Sequence, residues 1–417
     1  MKLLVIGSGG REHALAKKLL EDEKVTNVFC AKGNPGMKQD GIEIVAIEED
    51  NHPALIQFAK EQGIAWTFVG PEIPLLNGIV DDFEAAGLQI FGPNKAAALI
   101  EGSKEFAKEL MTTMNIPTAA YATFSDFEAA KAYVLEQGAP IVIKADGLAA
   151  GKGVVVAETE AEAIEALHEM LEDQKFGASS ARVVIEEFLV GEEFSLLAFV
   201  DGDKVYPMVI AQDHKRAFDG DRGPNTGGMG AYTPVPQIPE SMVAQSVEEV
   251  LHPTVQGMIQ RGTPYRGILY AGLIATTDGP KVIEFNARFG DPETQVVLAR
   301  LDSSLADIIS ALLAHETPEI KWNDQASIGV VVAAQGYPED YVKDAFIPSL
   351  ANEETAVFYA GVAEAEGTLV SSGGRVLLVE GNAPTIVEAR EKVYQALEKL
   401  ETEQLFYRRD IGHKALN

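Results

Sequence analysis

The residues best suited to chemistry lie in "KVIEFNARFGDPET" (281–294), where an apolar strand runs directly into charged residues, a glycine and a proline. A period of two places Val282, Glu284 and Asn286 on one face and Ile283 and Phe285 on the other, with Arg288 continuing the polar face. A carboxylate and an amide oxygen two positions apart on one strand form a rigid half-cage for a hard cation such as Mg2+, which takes oxygen ligands and keeps several waters. The competing use of the same charges is a buried ion pair of Glu284 with Arg288, which would be costly to desolvate and weakly stabilising.

Cations and glycines upstream suit the phosphates that such a metal accompanies. In "APIVIKADGLAAGKGVVVAET" an apolar strand ends in Lys144 and turns through Gly147, Gly151 and Gly153 into a second apolar strand. Backbone amides of such a loop can lie over phosphates while Lys144 and Lys152 neutralise them. The loop is not a P-loop, because Ser or Thr would have to follow Lys152 and a helix would have to follow the loop. The hinge "EEFLVGEEFS" joins an apolar segment to carboxylates, a combination suited to a flat base and a sugar with hydroxyls. A solvated sheet edge would have the same composition.

These residues need elements to hold them. The first hundred residues alternate apolar and amphipathic runs, "KLLVIG", "EHALAKKLL", "VTNVFCA", "PALIQFAKEQG", "AWTFVG" and "LQIFG" among them, the pattern of a doubly wound parallel sheet in an α/β unit. Ligands of such sheets sit beyond the carboxyl ends of the strands. Here those ends read "GSGGRE", "AKGNPG", "VGPE" and "FGPNKAA". A dinucleotide site fits poorly, since Glu12 replaces the third glycine of the fingerprint and the second strand ends at Cys30 and Ala31 without an acid for the ribose. Further on, "EGSKEFAKELMTTMNIP" reads as a helix stopped by Pro117. "FSDFEAAKAYVLEQG" reads as a helix capped by Ser125 with Glu128 three positions on, and "DGD" (201–203) as a hairpin turn. The last ninety or so residues alternate strands with one long helix, "TIVEAREKVYQALEKL"; their "GYP" (336–338) has no chemical role derivable from the sequence. The expected division is 1–102, a central 103–327 with a lid at about 122–191, and 328–417.

Composition limits the partners. The 417 residues are 46% hydrophobic and 23% charged, enough for a large core, and the net charge of −29 opposes nucleic acid and anionic membranes. No apolar run reaches the ~18 residues of a membrane span, and the N-terminus lacks the pattern of an export signal. A single cysteine, Cys30, excludes an internal disulfide and a multi-cysteine metal site. A cytoplasmic monomer or weak homo-oligomer acting on small molecules is the expectation.

In order along the chain these parts resemble the ATP-grasp superfamily. "VIGSGGREHALA", "FGPNKAAALIEGSKEFAKE", "IVIKADGLAAGKGVVVA", "QDHKRAFDGDRGPNTGGMGAYTP" and "YAGLIATTDGPKVIEFNARFGDPETQ" look like the phosphoribosylamine-glycine ligase family within it. The resemblance implies an ATP-grasp fold (α+β) behind a Rossmann-like domain, with a mobile lid and a small C-terminal α/β domain. It implies ATP and Mg2+ or Mn2+, with glycine and 5-phosphoribosylamine as substrates and a glycyl phosphate intermediate. By the same resemblance Lys104 and Lys144 contact ATP phosphates under the loop of Gly147, Gly151 and Gly153. Glu186 and Leu189 meet the adenine edge through backbone atoms, Glu193 holds the ribose, Glu284 and Asn286 bind metal, and Arg288 faces the transferring phosphoryl group or the acceptor carboxylate. For the phosphoribosyl group the strand ends offer Gly9, Gly10, Arg11 and Asn34; Asp213, Lys215 and Asp291 are assigned to glycine or the ribose hydroxyls. One departure from the superfamily is Gly272, where an Asp often stands on the preceding strand.

Another ATP-grasp carboxylate-amine ligase is the alternative within the superfamily. A non-catalytic nucleotide-binding regulator would have little need of Glu284, Asn286 and Arg288 together. The glycines of the lid supply backbone freedom that ATP contacts would remove. Hydrogen exchange in "ADGLAAGKG" should therefore slow on adding ATP and Mg2+, and unchanged exchange would count against a closing lid.

Overall fold

The computed structural model describes residues 1–147, 153–350, 352–400 and 402–416. Its first sheet is parallel, in the spatial order Glu43–Val45, Asn27–Lys32, Lys2–Gly7, Ile64–Val69, Ile90–Phe91. Leu3, Leu4, Val5 and Ile6 are all fully buried because helices cover both faces, so this strand reads as an unbroken apolar run. Strand order reverses beside Lys2–Gly7, and the crevice at its carboxyl end is where a ligand of such a sheet lies. Glu12 occupies part of it. Its carboxylate accepts from Gly9 N–H at 2.7 Å, and a Cβ on Gly70 would lie 2.1 Å from its Oε1.

Two antiparallel four-stranded sheets follow. One runs Tyr121–Phe124, Val183–Glu187, Ile141–Ala145, Val154–Ala157. The other runs Lys204–Pro207, Glu192–Asp201, Arg266–Thr276, Gly279–Asn286. Gly151 and Lys152 of the expected phosphate-binding loop lie outside the described residues. Two local expectations are corrected. The helix Phe127–Gln137 is capped by Asp126, whose side chain accepts from Ala129 N–H at 2.9 Å, and not by Ser125; a carboxylate at the cap also favours the positive end of the helix dipole. The strand Gly279–Asn286 does not keep a period of two, because Glu284 pairs opposite Gly272 while Val282 pairs opposite the next residue, Leu273. Ile283 is thus the extra residue of a β-bulge.

The last sheet is antiparallel, in the order Gln212–Asp213, Gly230–Thr233, Ala326–Ala334, Arg375–Ala383, Thr355–Tyr359, with Leu405–Phe406 also beside Ala326–Ala334. It recruits residues 212–213 and 230–233, so the "PNTGGMG" loop between them lies where the central and last sheets meet. Helix Ile386–Leu397 packs on it. Among the described residues no helix is long and apolar enough to cross a membrane.

Asn34 joins the first and last sheets. It is 5% exposed; its Nδ2 donates to Ser8 O (2.8 Å) and Tyr359 O (2.9 Å), and its Oδ1 accepts from Gly36 N–H (3.0 Å). Asn34→Ala leaves these three groups without a partner and should cost about 2 kcal/mol or more. Thermal unfolding should show a lowered midpoint; an unchanged midpoint would refute this structural role.

Candidate active site

The bulge decides which side chains share a face. Val282 and Phe285 enter the core at 0% and 3% exposure, whereas Ile283, Glu284 and Asn286 turn to the opposite side. The sequence-based pairing of Glu284 with Asn286 therefore holds, but Val282 belongs to the other face. Gly272 makes room opposite: a Cβ there would lie 3.3 Å from Glu284 Cγ. Among the described residues the Glu284 carboxylate, which faces solvent, has no hydrogen bond or ion pair. Asn286 is 8% exposed and its Oδ1 accepts from Arg288 Nη2 at 3.1 Å, leaving a further lone pair. Among the described residues there is no cluster of three or more His, Cys, Asp or Glu side chains able to hold a metal by themselves. One free carboxylate and one amide oxygen fit a cation that keeps most of its shell as water and phosphate oxygens, the habit of Mg2+.

Facing this strand are buried lysines. Lys144, at the end of Ile141–Ala145, donates from Nζ to Ile283 O (3.1 Å) and to Glu186 Oε2 (2.9 Å). Glu186 Oε1 is paired with Lys108 Nζ at 3.2 Å. Burial alone would raise the Glu186 carboxyl, but Lys144 and Lys108 outweigh it and hold the group below its ordinary range. Burial lowers Lys108 to about 8, with Glu186 opposing. One helical turn before Lys108, Lys104 Nζ donates to Gly147 O at 2.8 Å, and burial lowers its pKa as well. Gly147 has φ +101 and a Cβ there would lie 2.9 Å from Ser179 Oγ, so both conformation and space call for glycine.

Leu189 lies in the segment joining strands Val183–Glu187 and Glu192–Asp201, beside Val190, which is 76% exposed. Glu193 pairs with Lys215 at 2.7 Å. Asp213 is half-buried and pushed up to about 7, first by burial and then by the carboxylates of Glu293, Glu193 and Glu284, with Lys215 opposing. Glu293 is fully committed on one side, accepting from Tyr270 OH (2.5 Å).

Arg288 does not pair with Glu284. Its Nη2 donates to Glu101 Oε1 (2.8 Å) and its Nε to Glu72 Oε2 (3.3 Å), both well over a hundred residues earlier in the chain. Burial disfavours the guanidinium charge, but Glu101 and Glu72 more than compensate. Arg11 donates to Phe289 O at 3.0 Å and pairs with Glu12. Asp291 accepts from Gln295 Nε2 (2.9 Å) and pairs with Arg375 Nη2 (3.3 Å). Gly9, Gly10 and Asp291 adjoin: a Cβ on Gly9 would lie 3.7 Å from Asp291 Oδ2, and one on Gly10 would lie 3.0 Å from Gln295 Nε2. Asn34, by contrast, has its side chain occupied by backbone partners, so it shapes the crevice wall. Sequence reasoning missed Lys108, Glu72, Glu101, Glu293 and Arg375. Glu72 and Glu293 lay inside stretches already singled out, "VGPE" and "RFGDPET", and Lys108 left a local signal, four residues after Lys104 on the same helix face.

Comparison with known proteins follows the same order of parts. Models of the phosphoribosylglycinamide synthetase family match by N domain at 1–101, ATP-grasp (A) domain at 102–294 and C domain at 327–414. The phosphoribosylamine--glycine ligase of Streptococcus pneumoniae is 59% identical over 419 residues and that of Streptococcus suis also 59%, each with all of both chains covered. The crystal structure of phosphoribosylamine--glycine ligase from Thermotoga maritima superposes with a TM-score of 0.85 at 34% identity, over 98% of this chain and all of that one. A biotin carboxylase from Campylobacter jejuni shares the fold, with a TM-score of 0.76 at 16% identity over 97% of this chain and 91% of that one. From its first strand to its last sheet, the chain belongs to the phosphoribosylglycinamide synthetase family.

Proposed function

We propose that the chain joins glycine to 5-phosphoribosylamine, with ATP converted to ADP and phosphate, giving glycinamide ribonucleotide for purine synthesis. The observation that carries this reading is the placement of Lys144 Nζ on Ile283 O, directly beside the free Glu284 carboxylate and Asn286 on one strand. Phosphates bound between the lysines and that strand would meet cation and carboxylate together.

A carboxylate is a poor acylating agent, so a glycine oxygen first attacks the γ-phosphorus of ATP and the bond to the ADP oxygen breaks. The nitrogen of phosphoribosylamine then attacks the carbonyl carbon of glycyl phosphate, loses a proton and expels phosphate. Lys104 and Lys144 neutralise the phosphates, and Arg288, held by Glu72 and Glu101, faces the phosphoryl group or the glycine carboxylate. Glu284 and Asn286 would hold Mg2+ or Mn2+, which when bound neutralises charge developing on the phosphate oxygens. Asp213 and Lys215, with Asp291, receive glycine or the ribose hydroxyls. The adenine edge rests on backbone atoms of Glu186 and Leu189, and the ribose on Glu193. The crevice of Gly9, Gly10 and Arg11, walled by Asn34, takes the phosphoribosyl group. A lid of about 122–191, with Gly147, Gly151 and Gly153, excludes water from an acyl phosphate that hydrolyses readily. Units of 1–102, 103–327 and 328–417 divide these tasks.

Glu284→Gln keeps shape and removes charge, so turnover should be lost while ATP binding persists; activity within about threefold of wild type would remove the metal assignment. The route itself is tested with glycine carrying ¹⁸O in its carboxylate. Label should pass into inorganic phosphate, in a reaction that also requires phosphoribosylamine. Label in AMP, or pyrophosphate among the products, would establish an adenylate route instead. ADP release supported by a different amine in place of phosphoribosylamine would point to another ligase.

A further inference from the structure

The bulge that aims Glu284 is held on two consecutive carbonyls. Val282 O accepts from Thr118 Oγ1 at 2.8 Å, and Ile283 O accepts from Lys144 Nζ at 3.1 Å. Thr118 has one hydroxyl hydrogen, spent on Val282 O, and its oxygen accepts from Lys108 Nζ at 2.7 Å. Lys108 in turn pairs with Glu186, and Glu186 with Lys144. The contacts close a ring, from Val282 O through Thr118, Lys108, Glu186 and Lys144 back to Ile283 O. The ring sits in a dry place: Lys108 is 2% exposed, Glu186 4% and Lys144 5%. Lys108 Nζ also lies 5.3 Å from the centre of the Tyr121 ring, and Val282 N–H donates to Pro117 O at 2.8 Å.

A bulge leaves one residue outside the ladder, and shifting the pairing by a single residue sends every later side chain to the other face. Without its clamp the strand could regain regular pairing, which would turn Glu284 and Asn286 away from Lys144. We infer that Lys108 and Thr118 are positioning residues for phosphoryl transfer, holding the Ile283 bulge through this ring so that Glu284, Asn286 and Lys144 stay on one site. The inference rests on the reading of that site as the place of metal and ATP phosphates. The two residues contact neither Glu284 nor Asn286 and act through the backbone of residues 282–283 and through Glu186.

The test uses the full chain with a non-hydrolysable ATP analogue and Mn2+, whose binding is followed by its paramagnetic resonance signal. Thr118→Val removes the hydroxyl at nearly constant volume, whereas Thr118→Ser keeps it. Thr118→Val and Lys108→Met should each weaken Mn2+ binding about tenfold, with a matching fall in kcat, because each loses a hydrogen bond to a charged or buried partner. Thr118→Ser should stay near wild type, as should metal-free nucleotide affinity in both threonine variants. Combining Lys108→Met with Thr118→Val should add little, since the ring is already broken. Wild-type Mn2+ affinity and kcat in Thr118→Val, with or without a lowered thermal midpoint, would overturn the inference and leave the pair a purely structural contact. Should Lys108→Met fail to fold, the two threonine variants decide alone. Absence of Mn2+ binding in wild type would instead remove the site reading on which the inference stands.

Discussion

Three charged side chains buried together set the terms for the rest of the site. Lys108, Glu186 and Lys144 are each at most 5% exposed, and the Glu186 carboxylate supplies the countercharge of both lysines, because an unpaired ion in such surroundings costs several kcal/mol. Two cations flank one anion, so the cluster carries surplus positive charge toward the strand Gly279–Asn286. That surplus is what a polyphosphate would neutralise. The arrangement contributes little to stability by itself, and its value lies in direction: Lys144 cannot leave Glu186 and Ile283 O for an arbitrary rotamer without abandoning a buried partner.

The same logic joins the first sheet to the strand Gly279–Asn286. Arg288 extends from just beyond Gly279–Asn286 into the carboxylates of Glu72 and Glu101, and Glu101 Oε2 also accepts from Ala287 N–H at 2.7 Å. Burial raises the pKa of Glu101, with Arg288 opposing, so each group supplies the other's countercharge. The crevice of the parallel sheet and the end of the strand Gly279–Asn286 are thereby tied together.

The last sheet closes that surface from the other side. Arg375 donates to Gly227 O (2.9 Å) and Asp291 O (2.7 Å), and Tyr337 OH accepts from Gly227 N–H (3.2 Å). A Cβ on Gly227 would lie 3.0 Å from the Arg375 guanidinium carbon, so a side chain there would have to shift that guanidinium from its carbonyl partners. The "GYP" segment, without a role in the sequence, thus supplies the tyrosine that fixes this loop. His13 works similarly at the first helix: its Nδ1 accepts from Tyr359 N–H at 2.8 Å, while its Nε2 lies 2.8 Å from Asp40.

What the sequence determined by itself is local or patterned over short range. Alternating runs specify the parallel sheet, Lys144 follows an apolar strand into glycines, and Glu284 and Asn286 share a face because two residues are one strand period. Five extended segments carry the family resemblance, and the family models match the same stretches of chain. The tertiary structure decided the rest, since it depends on pairs far apart in the chain. Arg288 and Glu101 are 187 residues apart and Thr118 and Val282 164, separations at which periodicity carries no information. Asp126 rather than Ser125 caps its helix because the cap is chosen by which side chain meets the Ala129 amide once the chain turns. The bulge at Ile283 is the sharpest case: apolar Val282 belongs with Phe285 in the core, and only an extra residue in the ladder allows this while Glu284 and Asn286 remain together on the other side.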